Sequence, residues 1–168
     1  MIWLVVGAKG GVGTTALARE LVRTGQTLAV DLADGELAAQ LERPTWLLNY
    51  DLYNAPVNGI WRSQLIEAAL KRSITLMWRP DCGDSEVQWS FVCDLANRRT
   101  LVLDGGITPP VGIDPLASQV VIVSQDNAVA RWHETRLRVR YPEAQVVDIG
   151  TRQAAREWAA KQFQGVKA

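Results

Sequence analysis

Short apolar, β-branched runs alternate along the chain with longer stretches of helical period. Residues 2–6, 28–32, 74–78, 100–104, 120–124 and 145–149 form six runs that are nearly continuous in apolar side chains. Runs of that kind suit strands covered on both faces, the condition of a parallel sheet flanked by helices. Between them, residues 15–23 carry Leu17, Leu21 and Val22 on one stripe, and residues 60–72 carry Trp61, Leu65 and Ala69. Residues 85–97 open with Ser85-x-x-Gln88, a capping-box spacing, and align Val87, Phe91 and Leu95. Asp126 is placed to cap a helix bearing Val129, Trp132 and Val139, and Thr151 to cap one bearing Ala155, Trp158 and Ala159. The alternation predicts an α/β fold, a three-layer sandwich around a mostly parallel twisted sheet with right-handed crossovers. Pro and Gly collect at residues 44–59 and 105–115 and read as loops, so residues 1–168 form a single domain.

Composition narrows the class. The 168 residues carry 18 Lys+Arg against 18 Asp+Glu, which excludes a polybasic nucleic-acid coat and an acidic tail. At 48% hydrophobic and 21% charged, the chain is also too apolar for wholesale disorder. No apolar run approaches the roughly 20 residues of a membrane span, and the opening run lacks the basic start and the length of a signal peptide. A cytoplasmic location is expected. Cys82 and Cys93 have neither CxxC spacing nor a nearby histidine and read as reduced, partly buried thiols.

Chemistry concentrates after the first run. Ala8-Lys9-Gly10-Gly11-Val12-Gly13-Thr14-Thr15 leads directly into helical sequence. Glycines at such a junction let backbone N–H groups turn inward around an anion, and the helix N-terminus adds favourable potential. Laid on the phosphate-loop pattern GxxxxGK[ST], Ala8 replaces the first glycine and Thr14 the lysine, while Gly13 and Thr15 fit. The deviant pattern xKGGxGK[ST] fits better: Lys9, Gly10, Gly11, Gly13 and Thr15 all match, and Thr14 alone departs.

On these residues the chain resembles the ParA/MinD family of P-loop ATPases. The ending Gly13-Thr14-Thr15-Ala16-Leu17-Ala18 is similar to its CpaE/TadZ branch, which serves pilus assembly and often lacks the second lysine. Asp31-Leu32-Ala33-Asp34-Gly35 resembles that branch's switch segment, and Leu101-Val102-Leu103-Asp104 its Walker B strand. The resemblance spans about residues 1–150 and implies a P-loop NTPase fold binding ATP and Mg²⁺. It implies that Lys9 reaches across a homodimer to the partner's phosphates, and that Gly10, Gly11, Val12, Gly13, Thr14 and Thr15 hold the nucleotide. It implies Mg²⁺ on the Thr15 hydroxyl, supported by Asp31 and Asp104. The family's catalytic Asp falls at Ala33 here. Asp34 is one position off and would serve only after a one-residue shift of the loop.

The departures have a magnitude. Charge-assisted bonds from a lysine to the phosphates contribute roughly 1.5–3 kcal/mol, so losing it weakens binding about 10- to 100-fold. The same charge stabilises the transition state, so at most a very weak ATPase is expected. Two readings follow. One is a localisation or assembly factor that binds ATP–Mg²⁺ weakly; the other is a nucleotide-free pseudo-ATPase acting as a scaffold in a pilus or secretion machine.

Remaining features carry less. Arg131, Arg136, Arg138 and Arg140 gather on one helix, a pattern that fits the solvated face of an amphipathic helix better than a DNA contact. His133, the only histidine, has no carboxylate or serine at a suggestive spacing. Trp46, Tyr50 and Tyr53 fall at helical spacing and read as packing residues. The C-terminal segment from Trp158 is short and weakly amphipathic, so direct membrane attachment is not expected. Recruitment to a membrane or pole would come through partners. A receiver domain, common in the CpaE/TadZ branch, is not expected.

Overall fold

The computed structural model describes residues 1–47, 60–77 and 86–164. Seven strands form one parallel sheet: β1 (Ile2–Gly7), β2 (Leu28–Asp31), β3 (Thr45–Leu47), β4 (Thr75–Met77), β5 (Leu101–Asp104), β6 (Gln119–Ser124) and β7 (Gln145–Asp148). Their spatial order is β3-β4-β2-β5-β1-β6-β7, with β1 in the interior, bonded to β5 on one side and β6 on the other. The whole of β1 is buried. Its residues alternate between two cores, as the pleat requires.

Ile2, Leu4 and Val6 face a core completed by three helices: α3 (Ile60–Arg72), α4 (Glu86–Ala96) and α5 (Ala128–Arg140). Trp3 and Val5 face the other core, closed by α1 (Thr14–Gly25), α2 (Glu36–Leu41) and α6 (Arg152–Gln162). The three-layer sandwich expected from the alternation is the architecture observed. Trp158 stands edge-on to Trp3 at 6.2 Å, and Phe163 lies tilted beside Trp3 at 6.3 Å. The aromatic residues of the C-terminal segment are therefore core packing. Among the described residues no helix is long and apolar enough to cross a membrane.

Two elements escaped the sequence pattern. Helix α2 has only six residues, too few to display a period, and left-handed Gly35 and Glu42 delimit it. Strand β3 has three residues on the sheet edge, directly after Pro44, inside a stretch that reads as loop. Trp46 on β3 packs against the core; Tyr50 and Tyr53 lie outside the described residues, as do Trp78, Cys82 and Ser85.

Helix α5 corrects two expectations. Its cap is Asn127, whose side chain accepts from the Ala130 amide at 2.9 Å, whereas Asp126 pairs with Arg131. Its core face is Ala130 and Leu137, one heptad apart, followed by Tyr141. The stripe read as apolar, Val129, Trp132 and Val139, points to solvent at 56%, 58% and 82% exposure. Thr151 caps α6 as expected, accepting from the Ala154 amide at 3.1 Å.

This orientation is testable by urea denaturation. Leu137→Ala should cost about 2–4 kcal/mol by opening a cavity against the sheet. Val139→Ala and Trp132→Ala should each stay within about 0.5 kcal/mol of the parent, as exposed positions do. The reverse order would mean that α5 presents its other face to the core.

Candidate functional site

All seven strands run in one direction, so the loops that follow β1, β2 and β5 emerge at one edge of the sheet. The loop after β1 is pinned on both sides. The Gly7 amide donates to the Gly106 carbonyl at 2.7 Å, and the Ala8 amide to the Val123 carbonyl at 2.8 Å. Gly11 and Gly13 then adopt φ values of 76° and 96°, left-handed geometry that L side chains rarely enter. Val12, between them, buries its side chain against α1 and anchors the loop from below. It contributes backbone to the loop and no side chain to the cavity.

Helix α1 starts from Gly13 with no side-chain cap. Its first helical bond runs from the Leu17 amide to the Gly13 carbonyl at 2.9 Å, which leaves the amides of residues 14–16 without an intrahelical acceptor. In front of them opens a cavity of about 580 Å³. Lys9, Gly10, Gly11, Gly13, Thr14, Thr15 and Asp34 line it together. The structure thus brings six of the seven expected loop residues and the nearest switch carboxylate to one wall. Lys9 pairs with no carboxylate among the described residues.

Thr14, in the place of the lysine, turns back towards the strand. A Cβ built on Gly7 would come within 2.3 Å of the Thr14 hydroxyl, so Gly7 is glycine because Thr14 lies against it. Sequence reasoning missed this pairing. It also missed Gly106, Ile107, Thr108, Glu36 and Gln40, which complete the cavity wall. The available signal was the Gly105-Gly106 pair directly after Asp104. A Cβ on Gly106 would sit 2.9 Å from that of Ala33, so the loops after β2 and β5 touch there.

Asp31 and Asp104 are register partners at the ends of β2 and β5, both essentially inaccessible. Their surroundings differ. One oxygen of Asp31 accepts from the Ala33 and Gly35 amides at 3.1 and 3.3 Å, and the other from Ala38 at 3.1 Å. Asp31 therefore folds the switch loop onto α2 and does not line the cavity. Asp34 is exposed at the rim, where its carboxylate accepts from the Glu36 amide at 3.3 Å.

Asp104 receives the Gly106 amide at 3.1 Å on one oxygen, while its other oxygen is buried with no partner. Burial pushes its carboxyl up to about 6, the neighbouring Thr15 hydroxyl and Gly106 amide pull it down, and Asp31 and Asp34 add upward pressure. A partnerless buried carboxylate oxygen beside a threonine hydroxyl at the foot of an amide-lined loop suits a hard cation with oxygen ligands. Among the described residues no three of His, Cys, Asp and Glu cluster as a metal site. A Mg²⁺ ion here would draw its other ligands from phosphates and water. Cys93 is a free, half-buried thiol whose titration is raised first by burial and then by Asp94, with Arg62 opposing.

Of the helix α5 arginines, Arg131 pairs with Asp126, Arg138 with Glu134 at 2.9 Å, and Arg140 holds Asp114 through two bonds of 2.7 and 2.8 Å. His133 stacks edge-on against Trp132, with ring centres 4.6 Å apart.

Comparison with solved structures now has a geometry to meet. A ParA family ATPase from Chlorobium tepidum TLS superposes with a TM-score of 0.58 over 95% of this chain and 79% of that one, at 16% identity. The chain has a ParA-like P-loop fold. No protein-family model matches the sequence, and no curated protein is similar to it in sequence.

The buried carboxyl gives a pH signature in the ligand-free chain. Its folded titration point, about 6, lies above the ordinary 3.8, so the folded state holds the proton more tightly. Stability from this group is full below about pH 4 and falls as pH rises through about 6, by on the order of 3 kcal/mol at most. Asp104→Asn should therefore melt higher than the parent at pH 8 and match it near pH 4. Equal melting temperatures at both pH values would show that Asp104 carries no such penalty.

Proposed function

We propose that this chain is a ParA/MinD-like localisation or assembly factor that binds ATP–Mg²⁺ weakly and hydrolyses it little or not at all. The observation that carries this reading is the convergence of the uncapped α1 amides and an unpaired Lys9 on one cavity, with the buried oxygen of Asp104 behind Thr15, which lines it.

The amides of Gly11, Gly13, Thr14 and Thr15 would meet the phosphates, and the Thr15 hydroxyl with Asp104 would hold Mg²⁺. Bound there, the ion neutralises phosphate charge. Asp31 acts one step away, by fixing the loop that bears Ala33 and Asp34. Thr14 supplies no cation and lies against Gly7, which removes the charge that would both tighten binding and favour phosphoryl transfer. Lys9 is the remaining cation of the loop, and its part would be played across a nucleotide-bridged homodimer. In the CpaE/TadZ-like form of this reading the partners are proteins of a pilus or secretion machine. They would recruit the chain from the cytoplasm to a membrane or pole.

Thr14 and Ala33 also favour a second reading, a nucleotide-free scaffold, because both stand where the resemblance expects charged groups. Titration calorimetry with ATP–Mg²⁺ separates the two. Weak binding by the parent, tightened about tenfold or more by Thr14→Lys, supports the nucleotide-binding reading. Lys9→Ala should then abolish nucleotide-dependent dimerisation in sedimentation. No heat from the parent or from Thr14→Lys would favour the scaffold, and turnover above a very slow background would contradict both.

A further inference from the structure

The described residues include six exposed large hydrophobic side chains, and all but Met1 lie on α5 or on the loop after β5: Ile107, Val111, Val129, Trp132 and Val139. That distribution is not the scatter of single apolar residues expected over a soluble surface. Between the loop and the helix runs a groove of about 350 Å³, with Ile107, Leu137 and Val139 supplying its apolar lining and His133, Arg136 and Arg140 its polar lining. No carboxylate lines it.

Charge along the helix tells what the groove lacks. Arg131, Arg138 and Arg140 each have a carboxylate of their own. Arg136 has none among the described residues; its guanidinium lies 5.1 Å over the Trp132 ring. Trp132 is held upright by that cation on its face and by His133 at its edge, yet remains mostly exposed. An exposed tryptophan stacked on an arginine that has no carboxylate among the described residues, with that arginine lining the groove, is the residue pairing that dominates binding energy at interfaces.

We infer that the groove between α5 and the loop after β5 docks an acidic amphipathic segment of a partner protein. Its apolar side chains would lie against Ile107, Val139 and Trp132, and a carboxylate would pair with Arg136. The occupant must bring negative charge, because the groove offers cations and no anion. The inference does not rest on nucleotide binding, since none of the groove's polar groups belongs to the phosphate loop.

The probe is a displayed library of random linear peptides, selected on the full-length chain without nucleotide. The selected peptides should combine aspartate or glutamate with large apolar residues and bind with micromolar affinity. Trp132→Ala and Arg136→Glu should each weaken them about tenfold or more, while circular dichroism and melting of the variants remain those of the parent. A peptide with its carboxylates changed to lysine should bind Arg136→Glu better than it binds the parent. Three results would overturn the proposal. One is selected peptides that bind the variants as tightly as the parent; another is a basic or uncharged consensus among them. Alternatively, the library yields no binder, whether or not sedimentation shows Trp132→Ala dissolving a dimer that covers the face with a second copy.

Discussion

The structure depends on how β1 ends. It is an interior strand, buried on both faces, and the amides of Gly7 and the following Ala8 are taken by Gly106 on one side and Val123 on the other. Those bonds bring the sheet's ladder to a stop at Gly7 and Ala8. Beyond that point the chain must turn within a few residues to lay α1 back on the sheet. Two left-handed glycines accomplish the turn, and Val12 pins its underside. The amides displaced from both ladder and helix all open on one side. The cavity is a consequence of that geometry, whatever ligand it takes.

Two carboxylates at the next strand ends show how much a few amides decide. Asp31 and Asp104 are side by side in the sheet and equally hidden from water, but three backbone donors meet Asp31 and one meets Asp104. A buried carboxylate is tolerated when its lone pairs are satisfied and costs several kcal/mol when they are not. Asp31 is therefore architecture, the brace that seats α2 and the switch loop. Asp104 keeps an unmet demand for a donor or cation, and burial pushes its carboxyl up to about 6. In sequence the two residues look alike, each closing an apolar run.

Legibility followed the length of the periodic signal. The six apolar runs all became strands within a residue or two, because a continuous apolar run bounded by turn residues needs no partner information to be visible. The loop residues were legible because Gly, Lys and Thr at those offsets have few other uses. Helix α2 and strand β3 were not, since six and three residues contain too little period, and what holds them is a side chain from β2 and an edge pairing to β4. The facing of α5 was misread for another reason. Val129, Trp132 and Val139 outrank Ala130 in hydrophobicity, but a close helix–sheet approach selects the small residue for the contact, and Ala130 with Leu137 one heptad later provides it.

That inversion links the two ends of the molecule's chemistry. Because α5 turns Ala130 and Leu137 inward, Val129, Trp132 and Val139 are left on the outside beside the loop that follows Asp104. Ile107 and Thr108 of that loop line both the phosphate-loop cavity and the α5 groove. Gly106, which ties the loop to β1 through the Gly7 amide, also lies so close to Ala33 of the loop after β2 that a side chain would not fit between them. A ligand that moved Ile107 at the cavity would reshape the groove, and a segment seated in the groove would bias the same loop from the other side. Coupling between sites is reciprocal in free energy.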